Sequence, residues 1–160
     1  TKKILSLVSY QSPQATSRGE LSAISHQLID LCGKTNIKQL AAISEASDLF
    51  FGVDSAPMHI AAAVNTPVIA LFGPSGAFHW GPWDNKQKSE VRSQKSEETP
   101  YPKKNGIQTF GIHTVIQKNR ECIPCGKDGC DGSKVSRCLE DITPDDIKNI
   151  LTKKLRELQR

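Results

Sequence analysis

The chain has 160 residues, of which 37% are hydrophobic and 24% charged, a balance that suits one globular domain with a core of ordinary size. Its net charge of +4, from 21 basic and 17 acidic residues, is mild, and no RNA- or DNA-binding motif accompanies it, so nucleic acid is not an expected partner. No apolar run reaches the roughly 18 residues that span a bilayer, and no secretory signal pattern opens the sequence. The start, TKKILSLVSY, is a Lys-flanked apolar run of strand length, which reads as the interior of a longer protein or a trimmed chain.

In chain order, KILSLVS (3–9) has the composition and length of a strand. A polar loop with Pro13 and Gly19 follows, and ELSAISHQLI (20–29) places Leu21, Ile24 and Leu28 at helical spacing. Cys32, alone near the end of this apolar segment, reads as a small buried side chain. NIKQLAAISEA (36–46) is a clearer helix, with Ile37, Leu40, Ala41 and Ile43 on one face and Thr35 or Asn36 as its cap. DLFFGVDS is an apolar strand ending in polar residues. PMHIAAAVN is a helix with Pro57 in its first turn and Asn65 at its end. TPVIALFGPSG is a second apolar strand that runs into a Gly-Pro-Ser-Gly loop.

Beyond Phe78 the sequence becomes irregular, with a short strand expected around 89–93 and another over GIHTVIQ (111–117). The final helix, within 144–160, has Thr143 as cap, Asp145 and Asp146 against the dipole, and an apolar stripe of Ile147, Ile150, Leu151, Leu155 and Leu158. Apolar runs without alternation predict parallel strands covered on both faces, hence an α/β, doubly wound arrangement filling a single domain, 1–160. Such a domain normally has about five or six strands. Between Ser17 and Leu28 there is room for one helix and no second strand, so a βα unit is missing near residue 19, or residues are absent between Arg18 and Glu20.

The densest chemistry lies in DSAPMHIAAA (54–63). In open α/β sheets ligands bind beyond the carboxyl ends of the strands, and Asp54 and Ser55 stand at such an end. The helix that follows offers free N–H groups and a positive dipole end to a phosphate. Ala56 lets a ligand approach the backbone, Ser55 can cap the helix or meet a phosphate oxygen, and Asp54 can receive a sugar hydroxyl. His59 falls one turn further along, and GPSG (73–76) forms a second wall. Spacing alone is equally compatible with a plain strand–helix junction, in which Asp54 and Ser55 cap and His59 is a satisfied core histidine. Neither GxGxxG nor GxxxxGK[ST] occurs.

The words GVDSAPMHIAAAVNTPVIALFGPS, together with ATSR (15–18), LCGKTNIKQLAAI (31–43) and ECIPCGKDGCDGSKVSRCLEDITPDDI (121–147), closely resemble the C-terminal domain of glycosyltransferase family nine, the ADP-heptose:lipopolysaccharide heptosyltransferases. The last segment is most similar to the heptosyltransferase III branch. The resemblance implies a Rossmann-like C-terminal half of a GT-B glycosyltransferase that binds the ADP-sugar. The acceptor and the catalytic base belong to the other half. It implies transfer of heptose from ADP-heptose to the lipopolysaccharide inner core, with no cofactor or bound metal required. A cytoplasmic location is implied, with peripheral association at the inner membrane as a further expectation.

Carried over by position, Asp54 contacts the heptose, the backbone of Ser55, Ala56 and Pro57 holds the diphosphate, and His59 supports that turn. Thr16 and Ser17 bind phosphate oxygens, Lys34 falls where adenine packs, and Glu20 matches a glutamate that binds the ribose. The family's lysine after the TSR-like segment has no counterpart, since Gly19 and Glu20 follow Arg18 directly. Loss of such a charge-assisted contact costs about 1.5–3 kcal/mol. Without the acceptor half, this chain is expected to bind donor and not to transfer the sugar alone. The alternative is an inactive nucleotide-sugar-binding module from a truncated or degenerate gene.

Within the Cys-rich loop 121–139, Cys122, Cys125, Cys130 and Cys138 have a spacing that fits a small zinc site, and fits equally four thiols packed in a tight loop without metal. Paired CxxC knuckles are lacking, so the metal-free reading is favoured.

Overall fold

The computed structural model describes residues 29–86 and 100–158. Helix α1 (Ile37–Glu45) begins at Asn36 in a capping box: the Gln39 N–H donates to Asn36 Oδ1 at 3.0 Å, and the Asn36 N–H donates to Gln39 Oε1 at 3.0 Å. Strand β1 (Phe50–Val53) leads into helix α2 (Ala56–Ala63). Asn65, at φ 63°, closes α2 in a Schellman motif, its N–H donating to Ala62 O at 3.0 Å and the Thr66 N–H to Ala61 O at 3.0 Å. The Thr66 hydroxyl then donates to Ser44 O at 2.6 Å and ties the end of α2 to α1. Strand β2 (Val68–Phe72), a helical turn α3 (Ala77–Trp80), strands β3 (Gln108–Phe110) and β4 (His113–Gln117), a 3-10 turn (Cys130–Gly132), a second helical turn α4 (Arg137–Glu140) and helix α5 (Pro144–Leu158) complete the described elements.

The sheet has four strands in the order β1-β2-β4-β3. β1, β2 and β4 are parallel, with Val53 opposite Leu71 and Phe72 opposite Gln117. β3 runs antiparallel to β4, joined by the Gly111–Ile112 turn. The α/β expectation therefore holds as a mixed sheet with an antiparallel edge strand, not as a purely parallel one. β3 falls just ahead of the expected strand 111–117, in residues to which the sequence assigns no element, because three residues carry too little periodicity. The core joins Phe50, Met58, Ala61, Val68, Phe72, Tyr101 and Val115. The Tyr101 hydroxyl donates to Pro82 O at 2.7 Å, and burial raises its pKa.

Several expectations change. β2 and β4 are buried along nearly their whole length, as doubly covered strands should be, but in β1 Phe51 and Val53 are 40% and 49% exposed. Ile37, assigned to the packed face of α1, is 74% exposed because it occupies the first turn, ahead of the contact with α2. Cys32 is exposed, since its turn, with Gly33 at φ 68°, projects from the surface. Ile29, the last residue of the expected helix 20–29, forms a β-bridge. The rest of that helix, the strand 3–9, the strand around 89–93 and the suspected gap near residue 19 lie outside the described residues.

In α5, Ile147, Ile150 and Leu151 are half-buried, while Leu155 and Leu158 are exposed. Its start matches expectation. Thr143 Oγ1 accepts the Asp146 N–H at 3.3 Å, Asp146 accepts the Thr143 N–H at 2.7 Å, and Lys118 Nζ donates to the same carboxylate at 2.7 Å. Lys118, then Thr143, hold the Asp146 carboxyl down to about 2. No helix among the described residues is long and apolar enough to cross a membrane.

Candidate functional site

The parallel register puts the carboxyl ends of β1, β2 and β4 on one edge of the sheet. Two loops leave that edge side by side: Asp54–Ser55, which opens α2, and Gly73–Gly76, which opens α3. The Asp54 N–H donates to Leu71 O at 3.0 Å, so the ladder carries Asp54 one residue past the strand and fixes its backbone. Its half-buried carboxylate accepts the Ser75 hydroxyl through Oδ2 at 2.5 Å. Among the described residues Oδ1 has no hydrogen-bond partner, which leaves one carboxylate oxygen to accept from a ligand hydroxyl.

Ser55 occupies the N-cap position of α2 in extended backbone, yet its side chain does not cap. The hydroxyl turns back and donates to Val53 O at 3.1 Å, so of the two roles open to Ser55 the side-chain cap is not the one it takes. Pro57 has no N–H, and the Met58 N–H donates to Ser55 O at 3.0 Å. The turn therefore offers an anion the amides of Ser55 and Ala56, at the positive end of the helix. Ala56 is exposed and carries only a methyl group, so the approach is open.

His59 is exposed and bonds to no described residue, which removes the core-histidine reading. Lys34 folds onto its own turn, its Nζ donating to Asp30 O at 2.9 Å, and so is turned toward its own backbone. The Cys32 N–H donates to Asp30 Oδ1 at 3.0 Å in the same turn, which, with Lys34 adding a smaller effect, lowers the Asp30 pKa. Thr16, Ser17 and Glu20 lie outside the described residues. Thus the structure brings Asp54, Ser55, Ala56 and Pro57 to one corner, leaves His59 on the surface beyond it, and gives a role to Ser75, which the sequence placed only within the GPSG wall. Its signal was present in the shared strand-end position of DS and GPSG.

The Cys-rich loop abuts this corner from behind. The amides of Cys125 and Gly126 both donate to Pro74 O at 3.0 Å. Cys122, Cys125, Cys130 and Cys138 line one cavity of about 20 Å³ with Pro74 and Arg120. That is room for about one water molecule. All are free thiols, and Cys138 is buried, its pKa raised by burial first and by the other three sulfurs next. Among the described residues no group of three or more His, Cys, Asp or Glu side chains is arranged to hold a metal ion. Arg120 pairs with Asp141 and Asn105 Nδ2 donates to Arg120 O at 2.8 Å, so the loop is held by the protein's own contacts.

The family model of glycosyltransferase family 9 (heptosyltransferase) matches residues 6–108, more than half of the chain, and ends before the Cys-rich loop. Lipopolysaccharide heptosyltransferase 3 of Escherichia coli strain K12 is 57% identical over 103 residues, covering 59% of this chain and 28% of that protein. A second Escherichia coli lipopolysaccharide heptosyltransferase 3 is 54% identical over 55 residues, 34% of this chain and 16% of that one. Lipooligosaccharide heptosyltransferase 2 of Campylobacter jejuni is 27% identical over 126 residues, 76% of this chain and 31% of its own length. The chain thus spans between 16% and 31% of these curated relatives. No solved structure matches. On the strength of the family match, with the two strand-end loops inside it, the chain belongs to glycosyltransferase family 9, the heptosyltransferases.

Proposed function

We propose that this chain is the donor-binding, C-terminal half of a GT-B heptosyltransferase, which takes ADP-heptose and serves transfer of heptose to the lipopolysaccharide core. The observation that carries the reading is Asp54, held at the end of β1 by Ser75, beside the Ser55 and Ala56 amides at the start of α2. A carboxylate suits sugar hydroxyls and repels phosphate, whereas helix-start amides suit a diphosphate. The two therefore sort the ends of a nucleotide diphosphate sugar, with the sugar on Asp54 and the diphosphate on the turn.

With amides and the helix dipole facing the diphosphate, binding needs no metal at this corner. Thr16 and Ser17 add phosphate contacts in this reading, Lys34 swings from its turn to the adenine, Glu20 meets the ribose, and His59 flanks the turn. The proton acceptor for transfer comes from the acceptor-binding half. The location is cytoplasmic, at the inner face of the membrane, where the exposed Lys148, Lys153 and Arg156 of α5 favour an anionic acceptor.

Calorimetric titration with ADP-heptose and with ADP, on the protein and on Asp54→Ala, tests the assignment. The variant should lose about tenfold or more in affinity for ADP-heptose, the worth of a hydrogen bond to a charged group, and keep its affinity for ADP. Equal affinities for ADP-heptose in both proteins would refute it.

A further inference from the structure

Gln117, the last residue of β4, lies opposite Phe72 at the end of β2 and is 3% exposed. Its Nε2 donates to Gly73 O at 2.7 Å and to Ser75 O at 2.8 Å. Both partners are carbonyls, which only accept, so the NH2 group must face them. The Oε1 of the same amide is buried and, among the described residues, has no partner. Native interiors seldom leave a buried acceptor unpaired. Here it accompanies a two-point grip on one loop.

The carbonyl between the two, Pro74 O, is held from the other side by the amides of Cys125 and Gly126. Three successive carbonyls, at 73, 74 and 75, are thus fixed from outside the loop. The Ser75 hydroxyl that leaves this clamped segment is the one that donates to Asp54.

We propose that Gln117 is a positioning residue for the donor's sugar: by clamping the carbonyls of Gly73 and Ser75 it keeps the Ser75 hydroxyl on Asp54 and so sets the angle at which the carboxylate meets the sugar. This rests on the donor-site reading above. Without the clamp the 73–75 peptides can rotate, Ser75 leaves Asp54, and the carboxylate turns freely. The cost falls on the sugar. The diphosphate is met by the Ser55 and Ala56 amides, which belong to the other loop and are untouched.

Titration calorimetry with ADP-heptose and ADP on the protein, Gln117→Leu, Ser75→Ala, the double variant of those two, and Asp54→Asn provides the test. Gln117→Leu should weaken ADP-heptose about tenfold, leave ADP within about twofold, and add nothing to Ser75→Ala in the double variant. Should the leucine fail to fold, Gln117→Met keeps an unbranched side chain of similar length, removes the N–H donor without adding a charge, and carries the same expectation. An equal loss for ADP and ADP-heptose, or losses that add in the double variant, would overturn the positioning role and leave Gln117 a structural residue. If Asp54→Asn alone loses the preference for ADP-heptose over ADP, the positioning role fails and the donor site stands. If Asp54→Asn keeps that preference, the donor-site reading fails and this inference with it.

Discussion

His113 opens β4 with both ring nitrogens buried and without a hydrogen bond of good geometry among the described residues. Burial pushes its pKa down from 6.5 to about 4; Asp84 and the Trp83 carbonyl only partly offset this, and Lys154 adds to it. The unfolded chain therefore binds a proton near pH 6.5 that the folded protein refuses until about pH 4. Stability is full above the unfolded value and falls as the pH drops through this window. The difference of about 2.5 pKa units corresponds to about 3 kcal/mol in all, of which about 2 kcal/mol is lost by pH 5. Urea unfolding of the protein and of His113→Leu between pH 8 and pH 5 measures it. The leucine removes two unpartnered buried nitrogens, so the variant should match or exceed the parent at pH 8 and gain about 2 kcal/mol on it by pH 5. Parallel stability profiles for the two proteins would refute a neutral, desolvated His113.

Gly111 stands at φ 55° in the β3–β4 turn, where a Cβ would overlap Oδ2 of the buried Asp84, the oxygen that accepts the Ile112 N–H at 3.0 Å. Gly111→Ala should cost about 3 kcal/mol in urea unfolding, from left-handed strain and the displaced carboxylate; a loss under about 1 kcal/mol would show that the turn can relax. At the start of α5, the Asp146 pKa is depressed from 3.8 to about 2, so its contribution is present above pH 3.8 and disappears as the pH falls toward 2. Acid titration of the far-ultraviolet helix signal should show this loss, and Asp146→Asn should lower the helix signal at neutral pH and flatten the acid limb; an unchanged acid limb in the variant would count against the Asp146 cap.

Much of the frame was legible in the residues alone. Thr35 or Asn36 marked the start of α1, Pro57 and Asn65 bracketed α2, and the unbroken apolar run before GPSG marked β2 as a covered strand. These are local signals, in which a side chain satisfies a backbone group a few residues away, so sequence distance and spatial distance coincide. DSAPMHIAAA was legible in the same way as a strand end opening a helix, and its wording resembled the family that the chain matches over residues 6–108.

Tertiary structure decided what depended on residues far apart in the chain. It decided that Ser75, 21 residues on, would hold Asp54, and that Gln117 would reach the Gly73 carbonyl 44 residues away. It also sent the Ser55 hydroxyl back to its own strand, placed His59 on the surface, and left Phe51 and Val53 of an apolar strand half exposed. Composition fixes which residues prefer burial and which can bond. Which of them meet is set by the parallel register of β1, β2 and β4, a non-local pairing that no short window of sequence contains.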